Sequence, residues 1–167
     1  CTLRAALALA ETYAADGGSS VTIDVAGAPT IGLVDTLRFA PDHPVPTTPG
    51  GGDGVSSNGD RETSGETPPQ TPPPSAIGPG KLEIVGHGAV LDGGGQAQTL
   101  SAISEPWDLV VSGLTFRNGW SNDFAGALLA GVPRTTLQSV VFVGNTAKAG
   151  GGAVFARTLD VSASSFI

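Results

Sequence analysis

Two stretches of this chain share one pattern, and that pattern decides its fold. They read Asp108-Leu-Val-Val-Ser-Gly-Leu-Thr-Phe116-Arg-Asn118-Gly119 and Thr135-Thr-Leu-Gln-Ser-Val-Val-Phe142-Val-Gly-Asn145. A later copy is Leu159-Asp-Val-Ser-Ala-Ser-Ser-Phe166, and an earlier one runs from Leu82 to Gly93. Phe142 lies 26 residues after Phe116, and Phe166 lies 24 residues after Phe142. The chain is therefore built from a repeat of nearly constant length.

A second element recurs with the same spacing. Gly126-Ala-Leu-Leu-Ala130 returns as Gly152-Ala-Val-Phe-Ala156. A period of about 25 residues, made of short strands and glycine turns, is typical of a solenoid, and the ladder of leucine-rich repeats is absent. We predict an all-β, right-handed parallel β-helix with three short strands and three turns per coil. Residues 1–167 would form one such domain, cut off before its C-terminal end.

The β-helix predicts which residues stack between coils. Inward residues should lie on like residues, so that a Phe lies above a Phe and an Ala above an Ala. Gly126-Ala127 and Gly152-Ala153 should mark turns that leave no room for a large side chain. Asn118 and Asn145 suit turns that need left-handed backbone or a side-chain bond to the backbone.

The N-terminal segment reads as a helix over residues 1–16 that caps the first coil. Thr2 is a suitable N-cap, and Asp16-Gly17-Gly18 would end the helix. One apolar face is formed by Leu3, Leu7, Ala10 and Ala14. A solenoid exposes an open strand edge at each end, and this helix would cover the first. Val21–Val25 alternates like a strand, and residues 30–39 should hold one or two more.

Residues 40–80 differ from the rest in composition. They contain ten of the 13 prolines, together with Gly, Ser, Thr and Asp. Such a segment buries too little apolar surface to offset the entropy lost on ordering. We predict a long, disordered, solvated loop inserted between two coils, with its two ends close together.

Charge and the length of the apolar runs argue against two classes of partner. The net charge is −7, and lysine occurs only at Lys81 and Lys148. Nucleic-acid binding requires clustered basic residues, so no nucleic-acid partner is expected. No apolar run is long enough for a membrane helix, so no membrane insertion by this segment is expected. The chain begins at Cys1 and has no Met, which suggests a processed product or an excised piece.

Two motifs resemble a known group of proteins. Cys1-Thr-Leu-Arg-Ala-Ala-Leu7 resembles the CSLREA motif that opens many secreted bacterial β-helix proteins, although Ala5 stands where that motif has Glu. Phe142-Val-Gly-Asn145 followed by Gly151-Gly-Ala-Val154 resembles the F-x-x-N and G-G-A-[ILV] repeats of polymorphic outer membrane proteins, and Phe116-Arg-Asn118 is a one-residue-short version. The resemblance covers residues 1–39 and 81–167. It implies a secreted or cell-surface β-helix of the pectin-lyase-like superfamily, used as an adhesin or passenger domain.

The same superfamily includes polysaccharide lyases and hydrolases, so catalytic residues need to be considered. Glycosidases use two carboxylates that face one cleft. The acids of the stacked region do not recur at coil spacing: Glu83, Asp92, Glu105, Asp108, Asp123 and Asp160. Asp92 is the best single candidate, but an Asp before glycines is usually a turn residue. Arg117 should point outward into solvent, and His87, between two glycines, should be structural.

Two tryptophans and one glycine-rich segment complete the candidates. Trp107 and Trp120 lie in predicted loops, where an exposed ring could stack on a sugar, but folding over the rim of the core is favoured. Gly50-Gly-Gly-Asp53-Gly54 is similar to a fragment of a calcium-binding repeat, and we discount it because it is single. We assign no catalytic residue, cofactor or metal site.

These observations predict a non-catalytic extracellular or cell-surface module with an adhesin-like or structural role. One alternative is a fragment of a carbohydrate-active β-helix enzyme, whose paired acids would lie in later coils. Another is a building block of a larger assembly, joined through an open C-terminal coil. The expected partners are glycans, or another protein chain at that coil.

Overall fold

The computed structural model describes residues 2–15, 19–27, 30–40, 80–103 and 107–167. Within them, a single helix, α1 (Leu3–Ala15), precedes sixteen short strands. The strands are β1 (Ser20–Asp24), β2 (Thr30–Gly32), β3 (Leu37–Phe39), β4 (Lys81–Val85), β5 (Val90–Asp92), β6 (Leu100–Ala102), β7 (Asp108–Ser112), β8 (Thr115–Arg117), β9 (Trp120–Ser121), β10 (Leu128–Ala130), β11 (Thr135–Gln138), β12 (Val141–Val143), β13 (Thr146–Ala147), β14 (Val154–Ala156), β15 (Leu159–Ser162) and β16 (Ser165–Phe166).

The strands stack into parallel sheets that run along the axis of a solenoid. Sheet A has the order β1-β4-β7-β11-β15, sheet B the order β2-β5-β8-β12-β16, and sheet C the order β3-β6-β10-β14. A small sheet D pairs β9 with β13. Each described strand pairs with its equivalents in the neighbouring coils, and every pairing between described strands is parallel. The paired residues lie 24–28 positions apart in sequence, except between the first two coils, where residues 41–79 increase the separation to 60–63. The predicted parallel β-helix is confirmed.

The strand register reproduces the sequence repeat residue by residue. Leu91 pairs with Phe116, Phe116 with Phe142, and Phe142 with Phe166. The ring centroids of Phe116 and Phe142 lie 5.1 Å apart, those of Phe142 and Phe166 lie 4.8 Å apart, and both pairs are within 6° of parallel. The predicted Phe ladder therefore forms a continuous column inside the coils.

The core is a narrow column of aliphatic side chains because each strand alternates its two faces. In β4, Leu82 and Ile84 are each 1% exposed, whereas Glu83 between them faces outward. In β7 the same alternation buries Leu109 and Val111. Period-two burial, repeated from coil to coil, places apolar side chains inside and leaves every second position free to vary.

Helix α1 closes the first end of this column. Its face of Leu3, Leu7, Ala10 and Ala14 is buried in the core cluster. The Ala5 amide donates to Thr2 Oγ1 at 3.2 Å, so the predicted N-cap is confirmed. The helix packs against β1 and β3 of the first coil. The predicted capping role is thus confirmed, while Cys1 and Asp16–Gly18 lie outside the described residues.

The predicted loop at 40–80 lies, over residues 41–79, outside the described residues. The two flanks of that segment meet at Trp107. The rings of Phe39 and Trp107 have centroids 5.6 Å apart. A Cβ atom at Gly80 would lie 2.4 Å from Trp107 Cε2, so the backbone there runs directly against the indole. The two flanks of the segment therefore lie close together, as predicted.

The turns after the Phe positions require left-handed backbone or small residues. Arg117 pairs with Val143, and Trp120 with Thr146, so Asn118 lies beside Gly144 rather than beside Asn145. Asn118 has φ +51° and Gly144 has φ +62°, and both residue types tolerate this region. Asn118 and Asn145 are thus one position apart in register, as the shorter Phe116-Arg-Asn118 motif implies, and the predicted left-handed turn at Asn118 is confirmed.

Gly126 confirms the prediction for the other turn. A Cβ atom there would lie 2.4 Å from the carbonyl oxygen of Thr146 and 2.6 Å from that of Gly152. Backbone from two neighbouring segments therefore occupies the space that any side chain would need. This is the physical reason for glycine at position 126; at Gly152 a Cβ atom would lie 3.1 Å from the Asn145 carbonyl oxygen, a looser contact.

Candidate functional site

Asp92, the strongest candidate from the sequence, lies at the end of β5 on the outer surface of sheet B. Its Oδ1 accepts hydrogen bonds from the Gly94 amide at 3.0 Å and from Asn118 Nδ2 at 3.1 Å. Its Oδ2 accepts from Arg117 Nε at 3.0 Å and also from Arg117 Nη2. The Asp92–Gly94 bond spans two residues, as in an Asx turn. The predicted turn role of Asp92 is confirmed, and the carboxylate also ties one coil to the next.

The electrostatics of Asp92 oppose acid catalysis. The hydrogen bonds from the Arg117 guanidinium lower the pKa of the Asp92 carboxyl, and the Gly94 amide lowers it further. An ionised carboxylate with four donors has little capacity left to act as a base and no proton to give. Arg117 points outward as predicted, with 42% of its side chain exposed, but it is paired with Asp92 rather than free.

The remaining strand carboxylates in the described residues lie beside residues that are not acids. Glu83 pairs with Thr22 on one side and Val110 on the other. Asp108 pairs with Lys81, and Asp160 with Thr136. Parallel register brings equivalent positions of successive coils together, so acids would have to recur at coil spacing to form a pair. Glu105 lies outside the described residues.

His87 adopts the turn conformation expected between two glycines. Its φ is +47°, and its Nε2 lies 3.3 Å from the carboxylate of Asp24 on the preceding coil. The two side chains are 53% and 61% exposed. His87 is thus a surface turn residue, and its imidazole is directed at a solvated partner.

The two tryptophans occupy different environments. Trp107 is 2% exposed and packs on Phe39, so it belongs to the core, as favoured from the sequence. Trp120 lies on β9 and is half-buried. The Lys148 ammonium lies 5.5 Å from the Trp120 ring centroid, a cation–π distance, and covers one face of the ring.

Metal binding and membrane crossing can be judged for the described residues. Among residues 2–15, 19–27, 30–40, 80–103 and 107–167, no three His, Cys, Asp or Glu side chains come together in a group that could hold a metal ion. In the same part of the chain, α1 is too short and insufficiently apolar to cross a membrane. Asp53 and its glycines lie outside the described residues.

A cleft that the sequence did not predict lies on the outer face of sheet C. Its residues come from α1, β3, β6 and β10, from the segments before β3 and β6, and from the residue that follows β6. They are separated by more than 100 positions along the chain, so only the stacking of coils brings them together. Arg4, within the predicted cap, and Arg38, on the outer face of β3, are its two cations.

The comparisons with known proteins add no relative to this picture. No family model, no curated protein and no solved structure matches the chain.

Proposed function

We propose that this protein is a non-catalytic β-helix module that acts outside the cell or at the cell surface, in an adhesin-like or structural role. The observation that carries the proposal is the strand register. In the described strands it places each outward carboxylate beside a residue that is not an acid, and it commits Asp92 to Arg117.

The register matters because sugar cleavage by the common mechanism needs two carboxyl groups with different protonation states. In such sites one carboxyl has a raised pKa and gives a proton, while the other stays ionised at about 5–9 Å. Here the carboxyl with the best-defined surroundings, Asp92, has a lowered pKa. Its partners hold the coils together, which favours a structural role for the cluster.

The location outside the cell is supported by the two motifs, and the second motif has a clear physical role. In Phe142-Val-Gly-Asn145, Phe142 fills the core column. Asn145 Oδ1 accepts from the Gly119 amide at 2.8 Å, and its Nδ2 donates to the Phe116 carbonyl at 3.0 Å. The motif therefore encodes one inward stack and one coil-to-coil clamp, which suits a repeat whose purpose is a rigid rod.

An activity screen tests the proposal. The purified chain is incubated with pectic, alginate, chitin and hemicellulose polymers, with and without Ca²⁺, while reducing ends and ultraviolet absorbance of unsaturated products are followed. We expect no turnover. Turnover that persists after repurification and falls in Asp92→Asn would contradict the proposal and favour the enzyme alternative. Binding of the same polymers without cleavage would support an adhesin-like role.

A further inference from the structure

We propose that the cleft on the outer face of sheet C binds an oxyanion, meaning a phosphate, sulfate or carboxylate group, through Arg4 and Arg38. The cleft has a volume of about 530 Å³. Its polar lining consists of Arg4, Asp35, Thr36, Arg38, Gln98 and Ser101. The inference goes beyond the proposed function, since a structural rod requires no such cleft.

Arg4 is held in place before any ligand arrives. Its Nη2 donates to the Asp35 carbonyl oxygen at 3.1 Å, and its Nη1 to the Thr36 carbonyl oxygen at 3.4 Å. A guanidinium has five N–H donors, so these two bonds leave donors for a ligand. Because helix α1 and the segment before β3 already fix the side chain, binding costs less conformational entropy than ordering a free arginine.

Arg38 supplies a cation that has no anion beside it. It lies between Leu37 and Phe39, which are 2% and 0% exposed, so its side chain projects outward from β3. Among the described residues it forms no ion pair, although Arg117 pairs with Asp92 and Arg134 with Asp160. An unpaired guanidinium fork matches the geometry of an oxyanion.

Ser101 adds a hydroxyl next to Arg38. The two residues are register partners in sheet C, where adjacent strands lie about 4.8 Å apart. Ser101 is 6% exposed and lies between the inward Leu100 and Ala102. Its hydroxyl has no hydrogen-bond partner among the described residues, so it is available to donate to a ligand at the floor of the cleft.

The local charge also favours an anion, despite the net charge of −7 for the whole chain. The lining residues of the cleft include two arginines and one acid, Asp35, whose carboxylate forms no ion pair among the described residues. Gln98 is already engaged, because its Nε2 donates to the carbonyl oxygens of Phe124 and Ala125. Ile103 and Leu129 supply the apolar part of the lining.

Titration of the intact chain tests the inference. Sodium phosphate, sodium sulfate and sodium acetate are titrated at constant ionic strength with sodium chloride as the control, and amide chemical shifts of Thr36 and Ser101 are followed by NMR. We expect saturable shifts with at least one of the three oxyanions and none with chloride. Comparison of the three salts identifies which group the cleft prefers.

Variants separate a site from general surface charge. Arg38→Ala should weaken the affinity at least tenfold, and Ser101→Ala severalfold. Arg134→Ala, which removes an exposed arginine just before β11, should leave the affinity unchanged. Far-ultraviolet circular dichroism checks that each variant keeps its fold. Shifts that rise linearly without saturation, or equal affinity in Arg38→Ala and the unchanged chain, would overturn the inference. Neither result bears on the polysaccharide screen, so the two proposals fail independently.

Discussion

The first and last described coils of this solenoid differ in what covers them. At the first end, α1 covers the coil, and the inward Ile23 of β1 is 7% exposed. At the last described coil, Val161 occupies the corresponding inward column and is 44% exposed, and Phe166 of the Phe ladder is 51% exposed. The sequence of an inward position therefore does not decide its burial. A neighbour on both sides decides it.

The difference follows from the one-dimensional contacts of a solenoid. Each coil buries its core only against the coils before and after it, so a terminal coil lacks half of its contacts. A helix can replace a missing coil because its own backbone groups are bonded internally and its apolar face supplies side chains alone. Helix α1 does this with small and branched residues packed on β1 and β3.

The largest effect should come from the Phe column. Phe116→Ala removes a ring that is 0% exposed and should lower the free energy of unfolding by about 3–5 kcal/mol. Phe166→Ala, at the uncovered coil, should lower it by less than about 1.5 kcal/mol, because half of that ring already contacts water. Urea denaturation measures both. Equal losses would show that the two coils are covered alike in solution.

The helix offers a second contrast within one element. Leu7 packs against the first coil and is 1% exposed. Leu7→Ala should lower the free energy of unfolding by about 2–3 kcal/mol. The matched control is Leu9→Ala on the outer face of α1, at 70% exposure, with an expected change within about 0.5 kcal/mol. If Leu7→Ala were as mild as its control, α1 would not be the cover of the first end.

A smaller effect is expected next to the last coil. Thr135 pairs with Leu159 and has an enclosed hydroxyl without a hydrogen-bond partner among the described residues. Thr135→Val should therefore stabilise the fold by about 1 kcal/mol. Thr99→Val should destabilise it by about 1 kcal/mol, because Thr99 Oγ1 donates to the Ala127 carbonyl at 2.8 Å. The midpoint of thermal unfolding should rise in Thr135→Val and fall in Thr99→Val. Shifts of the same sign in both variants would contradict this prediction.

The smallest effect concerns the acid stability of the coil that contains Asp92. Because the pKa of Asp92 is below its ordinary value of 3.8 in the folded chain, its stabilisation is complete above that value. The stabilisation is lost as the pH falls through the lowered pKa. Asp92→Asn should therefore lose less stability between pH 7 and pH 3 than the unchanged chain. The midpoints of urea unfolding at the two pH values measure this difference. An identical loss of stability in both proteins would show that Asp92 does not contribute to acid sensitivity.

The candidate site divides into parts that sequence reasoning could and could not reach. Asp92 before glycines, and His87 between glycines, indicated turns from local sequence alone, because turn geometry depends on a few adjacent residues. The partner of Asp92 depended on register, which places Arg117 beside it. The Arg4–Arg38 cleft had no local signal, since its side chains meet only through the packing of α1 on the first coil and of β3 on β6.

The sequence by itself determined three features: the repeat, the alternation of inward and outward residues, and the capping helix. Each is a periodic pattern along the chain, with a period of 26 residues for the coil, two for a strand and 3.6 for a helix. Tertiary structure alone decided that Asn118 lies beside Gly144, that Arg117 neutralises Asp92, and that Ser101 lies beside Arg38. Those facts depend on which residues face each other across coils. A shift of one residue in one turn changes every such pair while leaving the repeat intact.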